Sequence, residues 1–258
     1  MPGLDFARIA AGSGGLAGAD LASLLNEAAL LAVRTGAPAI TDAHLSAALD
    51  RMLLGAERKG LALSAEDRRK IAVHEAGHAL AALLTPGADA LSKVTVLPRG
   101  RSLGAAHLAP PDEGVLRNAK QLKAGLVVLA AGRAAEEAVF PAAEATTGAA
   151  GDLAAMKGMT ESLVTRYGLA GPAGALLLPT AEARASGFVA SPQLLGAIEE
   201  VERGLREAAM RDAAAQLNRH RRALDALAAA LLEHETLDAS EVRAILADHP
   251  PVPATLAA

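Results

Sequence analysis

The chain has 258 residues, with 25 Lys and Arg against 29 Asp and Glu for a formal charge of −4, and it contains no cysteine. That length suits one large domain or two small ones with a buried core, while the absence of cysteine excludes disulfides, thiolate zinc sites, iron–sulfur clusters and cysteine nucleophiles. Mild acidity and only four aromatic residues, Phe6, Phe140, Tyr167 and Phe188, leave neither a cationic footprint nor a stacking platform, which argues against nucleic acid as a partner.

The sequence holds 65 alanines, the best helix formers, and few β-branched or aromatic residues, so a mainly α fold is expected. Taken in order, Asp20 to Arg34 reads as a helix with apolar residues at Leu21, Leu24, Leu25, Ala28 and Leu31. After the breaker Gly36-Ala37-Pro38, a second helix runs from an N-cap at Thr41 to Leu54, which makes a helical hairpin. Ser64 followed by Glu66 and Asp67 opens a helix expected to run through His74 and His78 to about Leu84, ended by Thr85-Pro86-Gly87. Lys93 to Leu97, closed by Pro98-Arg99-Gly100, is a strand candidate, and Leu103 to Leu108 pairs with it as a short hairpin. Asn118 to Phe140 reads as a long buried helix. Its apolar run, Leu122 to Val139, is broken by Lys123, Arg133, Glu136 and Glu137, so no membrane span is expected. Pro141 and the turn Thr146 to Gly151 precede another helix beginning near Asp152, and Gly168 to Gly187 reads as loops. Helices over Ser191 to Glu233, with a break near Asn218, and over Asp238 to Asp248 complete the chain before a Pro-rich tail. The N-terminal MPGLDFARIA carries Asp5 and no long apolar stretch, so no secretory signal is expected and the chain reads as soluble and intracellular.

The chemistry gathers at His74-Glu75-Ala76-Gly77-His78, an H-E-x-x-H motif within a predicted helix. Residues four apart on a helix differ by only about 40° around its axis, so both imidazoles can address one zinc ion at about 2.0–2.1 Å. Glu75 then lies beside the metal, placed to take a proton from a metal-bound water and pass it to the leaving amine, as peptide hydrolysis requires. A catalytic zinc needs a third protein ligand. A third His six residues beyond His78 is excluded, because position 84 is Leu and position 81, where the accompanying Gly belongs, is Ala. The remaining candidates are Glu136, Glu137 and Asp152. Asp152, in the first turn of a helix after a flexible turn, is favoured as ligand, and Glu136 as hydrogen-bond partner of a ligand His; a solvated face or an ion pair with Arg133 is the alternative for Glu136 and Glu137.

Several ordered blocks, His74 to Ala79 (HEAGHA), Lys93 to Gly104 (KVTVLPRGRSLG), Ala131 to Glu137 (AGRAAEE), Thr146 to Leu153 (TTGAAGDL), Arg166 to Leu169 (RYGL) and Glu235 to Leu237 (ETL), resemble the FtsH family of ATP-dependent zinc metallopeptidases, of the M41 type. Upstream, Gly18 to Leu21 with Asn26 to Ala29 is similar to part of that family's AAA lid, and Gly55 to Arg58 to its lid-to-peptidase linker. The resemblance implies an AAA-lid-like helical segment over 1–58, a zincin-like peptidase domain with a small β element over 59–250 and a flexible tail over 251–258. It implies zinc ligands His74, His78 and Asp152 with Glu75 as general base. Val94, Thr95, Val96 and Leu97 would be an edge strand to which an extended, unfolded substrate adds. It also implies a hexameric ring. No G-x-x-x-x-G-K-[ST] loop is present, so ATP would act only through an ATPase module not encoded here, in the same protein or a separate partner. The family's membrane anchor is likewise missing from this chain, which is expected in the cytoplasm or at the cytoplasmic face of a membrane. Gly151 stands where the family often has Asn, and the 168–187 loop has fewer aromatics. The competing reading is a non-catalytic adaptor that docks on full-length AAA proteases.

Overall fold

The computed structural model describes residues 4–58, 60–100, 102–109, 116–170 and 191–251. Helices α1 (Phe6–Gly12), α2 (Gly18–Arg34) and α3 (Asp42–Leu54) come first, then α4 (Ala65–Leu84), β1 (Ala90–Thr95), β2 (Ala105–Ala109), α5 (Ala119–Val139) and α6 (Ala150–Glu161). After α6 come α7 (Pro192–Arg219), α8 (Arg221–His234), β3 (Thr236–Asp238) and α9 (Ala239–Asp248). The mainly α expectation holds, with one small sheet. Among the described residues no helix is long and apolar enough to cross a membrane.

The helix starts follow the chemistry of their caps. Thr41, Ser64, Asn118 and Ser191 each accept one backbone N–H of the first turn with their side chains, and Asp238 accepts two, so each removes orphan donors from its helix start. The α7–α8 break falls at His220, two residues beyond the expected Asn218. Of the expected loop over Gly168 to Gly187, residues 171–187 lie outside the described residues, as does the tail beyond Pro251.

Two apolar cores form. Leu24, Ala28, Leu45, Ala48 and Leu49 close the α2–α3 hairpin. The larger core surrounds α4, whose residues Ala72 to Ala82 are buried without interruption. A helix segment buried on every side must be enclosed by other elements, and α5, α8 and the sheet enclose it. Fully buried Leu80, Leu126, Leu224, Leu227 and Leu231 each contribute roughly 1.5–3 kcal/mol to this packing. The two cores meet through an ion cluster in which Asp50 of α3 pairs with Lys93 and, at 3.7 Å, with Arg99. Beside it, Arg58 N donates to Pro98 O at 2.9 Å.

The sheet corrects one expectation. Its order is β2-β1-β3, antiparallel throughout, so β1 is central. Val94 pairs with Ala106 on one side and Leu237 on the other, and Thr95 with Ala105 and Thr236. Val96 N donates to Glu235 O, and Leu97 lies past the strand end with its N–H on Thr95 Oγ1. No free edge therefore runs along Val94 and Thr95. The strand that covers it, β3, follows a sharp turn at Glu235, whose φ of 60° puts a non-glycine residue in the left-handed region.

Candidate metal centre

Three helices supply the site. His74, Glu75 and His78 lie on α4, Glu136 on α5, and Asp152 in the first turn of α6. His74 Nε2 and His78 Nε2 are 3.1 Å apart, and Asp152 Oδ2 is 3.1 Å from the first and 3.4 Å from the second. Among the described residues this is the one group of three or more His, Asp or Glu side chains able to share an ion.

The other ring nitrogens fix the tautomers. His74 Nδ1 donates to Glu136 Oε1 at 2.7 Å, and His78 Nδ1 donates to the Val128 carbonyl at 2.8 Å, both acceptor-only partners. Both Nε2 lone pairs and the Asp152 carboxylate then point at one another. Three acceptors this close repel unless a cation lies between them, and this donor set, two imidazoles and a carboxylate, is one that zinc takes. The charges agree. Burial opposes ionisation of His74, yet hydrogen bonds to Asp152 and Glu136 push it up to about 10, so a proton does in the bare site what a metal does in the loaded one. Burial likewise works against the Asp152 carboxylate, but its bonds to His74 and His78 hold it well below the usual range.

Glu136 and Glu137 separate cleanly. Glu137 pairs with Arg133 at 2.7 Å near the surface. Glu136 is 2% exposed, and while Oε1 holds His74, Oε2 accepts the Thr146 N–H at 2.8 Å. Those bonds outweigh burial and keep it ionised. Thr146 begins the turn that leads to Asp152, so one carboxylate steadies a ligand ring and the loop that delivers another ligand.

Glu75 is buried beside the two histidines, and burial raises its carboxyl above the ordinary range despite the opposing charges of His78 and His74. Ala106 of β2 gives it a backbone hydrogen bond. Gly104 comes so close that a methyl there would lie 2.8 Å from Glu75 Cγ. The ligands and Glu75 open on a cleft of about 1010 Å³, walled by Ser102 to Ala106 on one side and by Ile71, Leu108, Val128 and Leu129. The structure brings His74, Glu75, His78, Glu136 and Asp152 together, while Val94 to Leu97 are not on this wall. The sequence does not reveal the Val128 carbonyl, for which no side-chain signal exists. Sequence reasoning also misses Gly104 and Gly132, the latter detectable as a glycine among the alanines of a helix interior.

Residues 61–245, well over half of the chain, match the family model described as peptidase family M41. The chain belongs to peptidase family M41. Ahead of the M41 match, residues 3–47 match the AAA+ lid domain. This M41 chain is 40% identical to ATP-dependent zinc metalloprotease FtsH 2 of Symbiobacterium thermophilum over 95% of its own length and 41% of that protein's. It is 40% identical to FtsH of Thermobaculum terrenum, over 98% of the chain and 40% of the relative. With FtsH 3 of Sphaerobacter thermophilus the figures are 44% identity, 98% and 50%. It thus spans about half or less of the length of these curated relatives.

Proposed function

We propose that this chain is a zinc-dependent metalloendopeptidase module that hydrolyses peptide bonds of unfolded or damaged proteins. The reading rests on one observation: His74 Nε2, His78 Nε2 and Asp152 Oδ2 converge within one coordination distance of a common point, with Glu75 alongside. His74, His78 and Asp152 would hold a zinc ion, which would supply Lewis-acid polarisation of the scissile carbonyl and acidify a water molecule. Glu75 takes the proton from that attacking water, and its raised pKa suits a base that must then give the proton up. The same proton goes to the amide nitrogen as the C–N bond breaks, so Glu75 ends the cycle as it began. Glu136 keeps the His74 ring in the tautomer that turns Nε2 to the ion.

The substrate edge moves from β1 to β2. Among the described residues the second edge of β2 pairs with no strand, and Ala105 and Ala106 line the cleft beside Glu75. An extended peptide added there gains affinity from main-chain bonds with little demand on its sequence, which suits unfolded chains. The division into a lid-like segment over 1–58, a peptidase domain over 59–250 and a tail over 251–258 is supported by the two separate cores and the two family matches. The lid match and the ATP-dependent FtsH relatives support an oligomeric AAA protease; the finer reading is a hexameric ring worked by an AAA ATPase module, in the cytoplasm or at the cytoplasmic face of a membrane. Nothing in the site favours the adaptor reading, since a scaffold has no use for two imidazoles, a carboxylate and a buried base at these distances. Glu75→Gln tests the proposal: casein cleavage should fall by at least about 100-fold while one zinc per chain is retained. Cleavage at the unsubstituted rate refutes it.

A further inference from the structure

Helices α4 and α5 cross where each carries a glycine. At Gly77 on α4, a methyl group would lie 2.5 Å from the Ala131 carbonyl oxygen and 2.6 Å from Ala135 Cβ. At Gly132 on α5, it would lie 2.5 Å from His74 Nε2, 2.5 Å from His74 Cε1 and 2.5 Å from His78 Nε2. These two clashes differ in kind. The first is with backbone and a neighbouring Cβ, so it concerns the closeness of the helices. The nearest atoms in the second are the ligand ends of two imidazoles, including both Nε2 atoms that face Asp152.

A zinc–nitrogen bond is about 2.0–2.1 Å long, so a carbon 2.5 Å from both Nε2 atoms would crowd an ion that bridges them. Both rings are anchored behind by Glu136 and Val128, so they cannot retreat without losing those bonds. Glycine is also a poorer helix former than alanine, and Gly132 stands between Ala131 and Arg133 inside α5, where nothing in the local backbone calls for it.

We propose that Gly132 is a positioning residue of the metal centre: its missing side chain leaves the space in which the ion meets His74 and His78. The inference rests on the zinc reading above and adds to it a position on α5 that donates no ligand atom. Removing that space should weaken metal binding more than it weakens the fold, because the clashing atoms are side-chain ends.

The experiment compares Gly132→Ala with the unsubstituted full chain and with Gly125→Ala, also on α5, where a methyl would meet only Met159 at 3.5 Å. Zinc affinity is read by competition with a chromogenic chelator, and geometry by the visible absorption of the cobalt-substituted protein. Thermal unfolding of the metal-free forms is followed in parallel. Gly132→Ala should bind zinc at least about 100-fold more weakly, with an altered or absent cobalt spectrum, and still unfold in one cooperative transition. Gly125→Ala should bind within about two-fold of the unsubstituted chain. Gly132→Ala with unchanged zinc affinity and cobalt spectrum overturns the inference, as does its loss of the cooperative transition, which would assign Gly132 to helix packing. An unsubstituted chain that binds no zinc overturns the metal reading itself.

Discussion

Replacing Glu136 by glutamine isolates what one carboxylate does for two ligands. Oε1 accepts from His74 Nδ1 at 2.7 Å and Oε2 from Thr146 N at 2.8 Å. An amide of the same shape has one acceptor oxygen and one NH2 group, so one of the two N–H donors meets another donor. If the oxygen stays with His74, the Thr146 N–H is stranded and the turn leading to Asp152 loosens. If it stays with Thr146, the His74 ring loses the bond that directs Nε2 to the ion. Loss of a charge-assisted bond together with a stranded donor costs on the order of 1.5–3 kcal/mol. At about 1.4 kcal/mol per tenfold, that is a zinc affinity weaker by about 10–100-fold. Chelator competition near neutral pH reads it directly, with circular dichroism to verify that the helices persist. Zinc affinity within about two-fold of the unsubstituted chain would refute the reasoning and leave Glu136 as a buried carboxylate without a part in the metal centre.

Two further outcomes follow from the same geometry. Asp152→Ala should leave only two imidazoles facing the ion and reduce bound zinc to well under one per chain; unchanged stoichiometry would move the third ligand to Glu136. His107 gives a pH signature, since burial first, and then the nearby Lys93 charge, lower its pKa to about 4 from the ordinary 6.5. The unfolded chain therefore binds the extra proton, and stability that is complete above pH 6.5 is lost as pH falls through the window from 6.5 to about 4. His107→Phe removes that loss, so in urea unfolding of the metal-free protein the variant should gain about 1–2 kcal/mol on the unsubstituted chain between roughly pH 7.5 and pH 5. A stability difference that stays constant with pH would contradict this account.

What the sequence makes legible is local. Thr41, Ser64, Asn118 and Asp238 mark helix starts because an N-cap is a bond between a side chain and a backbone group two or three residues on, and nothing distant is needed to form it. His74 and His78 are legible for the same reason, one helical turn being enough to align them. Strand β3 is not legible. Three residues, Thr236 to Asp238, are too few to show an alternating pattern, and their partners Lys93 to Thr95 lie some 140 residues earlier. That one missed strand is why β1 reads as an edge when it is the centre of the sheet. The partner of His78 is invisible for a different reason: Val128 contributes its carbonyl, which every residue has, and only the crossing of α4 and α5 selects it.

The abundance of alanine reads first as helix propensity, and its size matters as much. At the crossing of α4 and α5, Gly77 lies against the buried Ala131 and Ala135, and Gly132 against His74 and His78. Larger side chains would hold the helices farther apart, and the α5 backbone could then neither accept from His78 through Val128 nor bring Glu136 within 2.7 Å of His74. Helix α4 cannot supply a third ligand itself, because the next positions on the side of His74 and His78 are Ala81 and Ala82, packed into the core. The third ligand must therefore come from another element. The first turn of α6 is well suited to hold it, since the helix N-terminus favours an ionised carboxylate and Asp152 stays charged there. Two ligands thus come from periodicity within one helix, one from the end of another, and their alignment from small residues that let a third helix lie against both imidazoles.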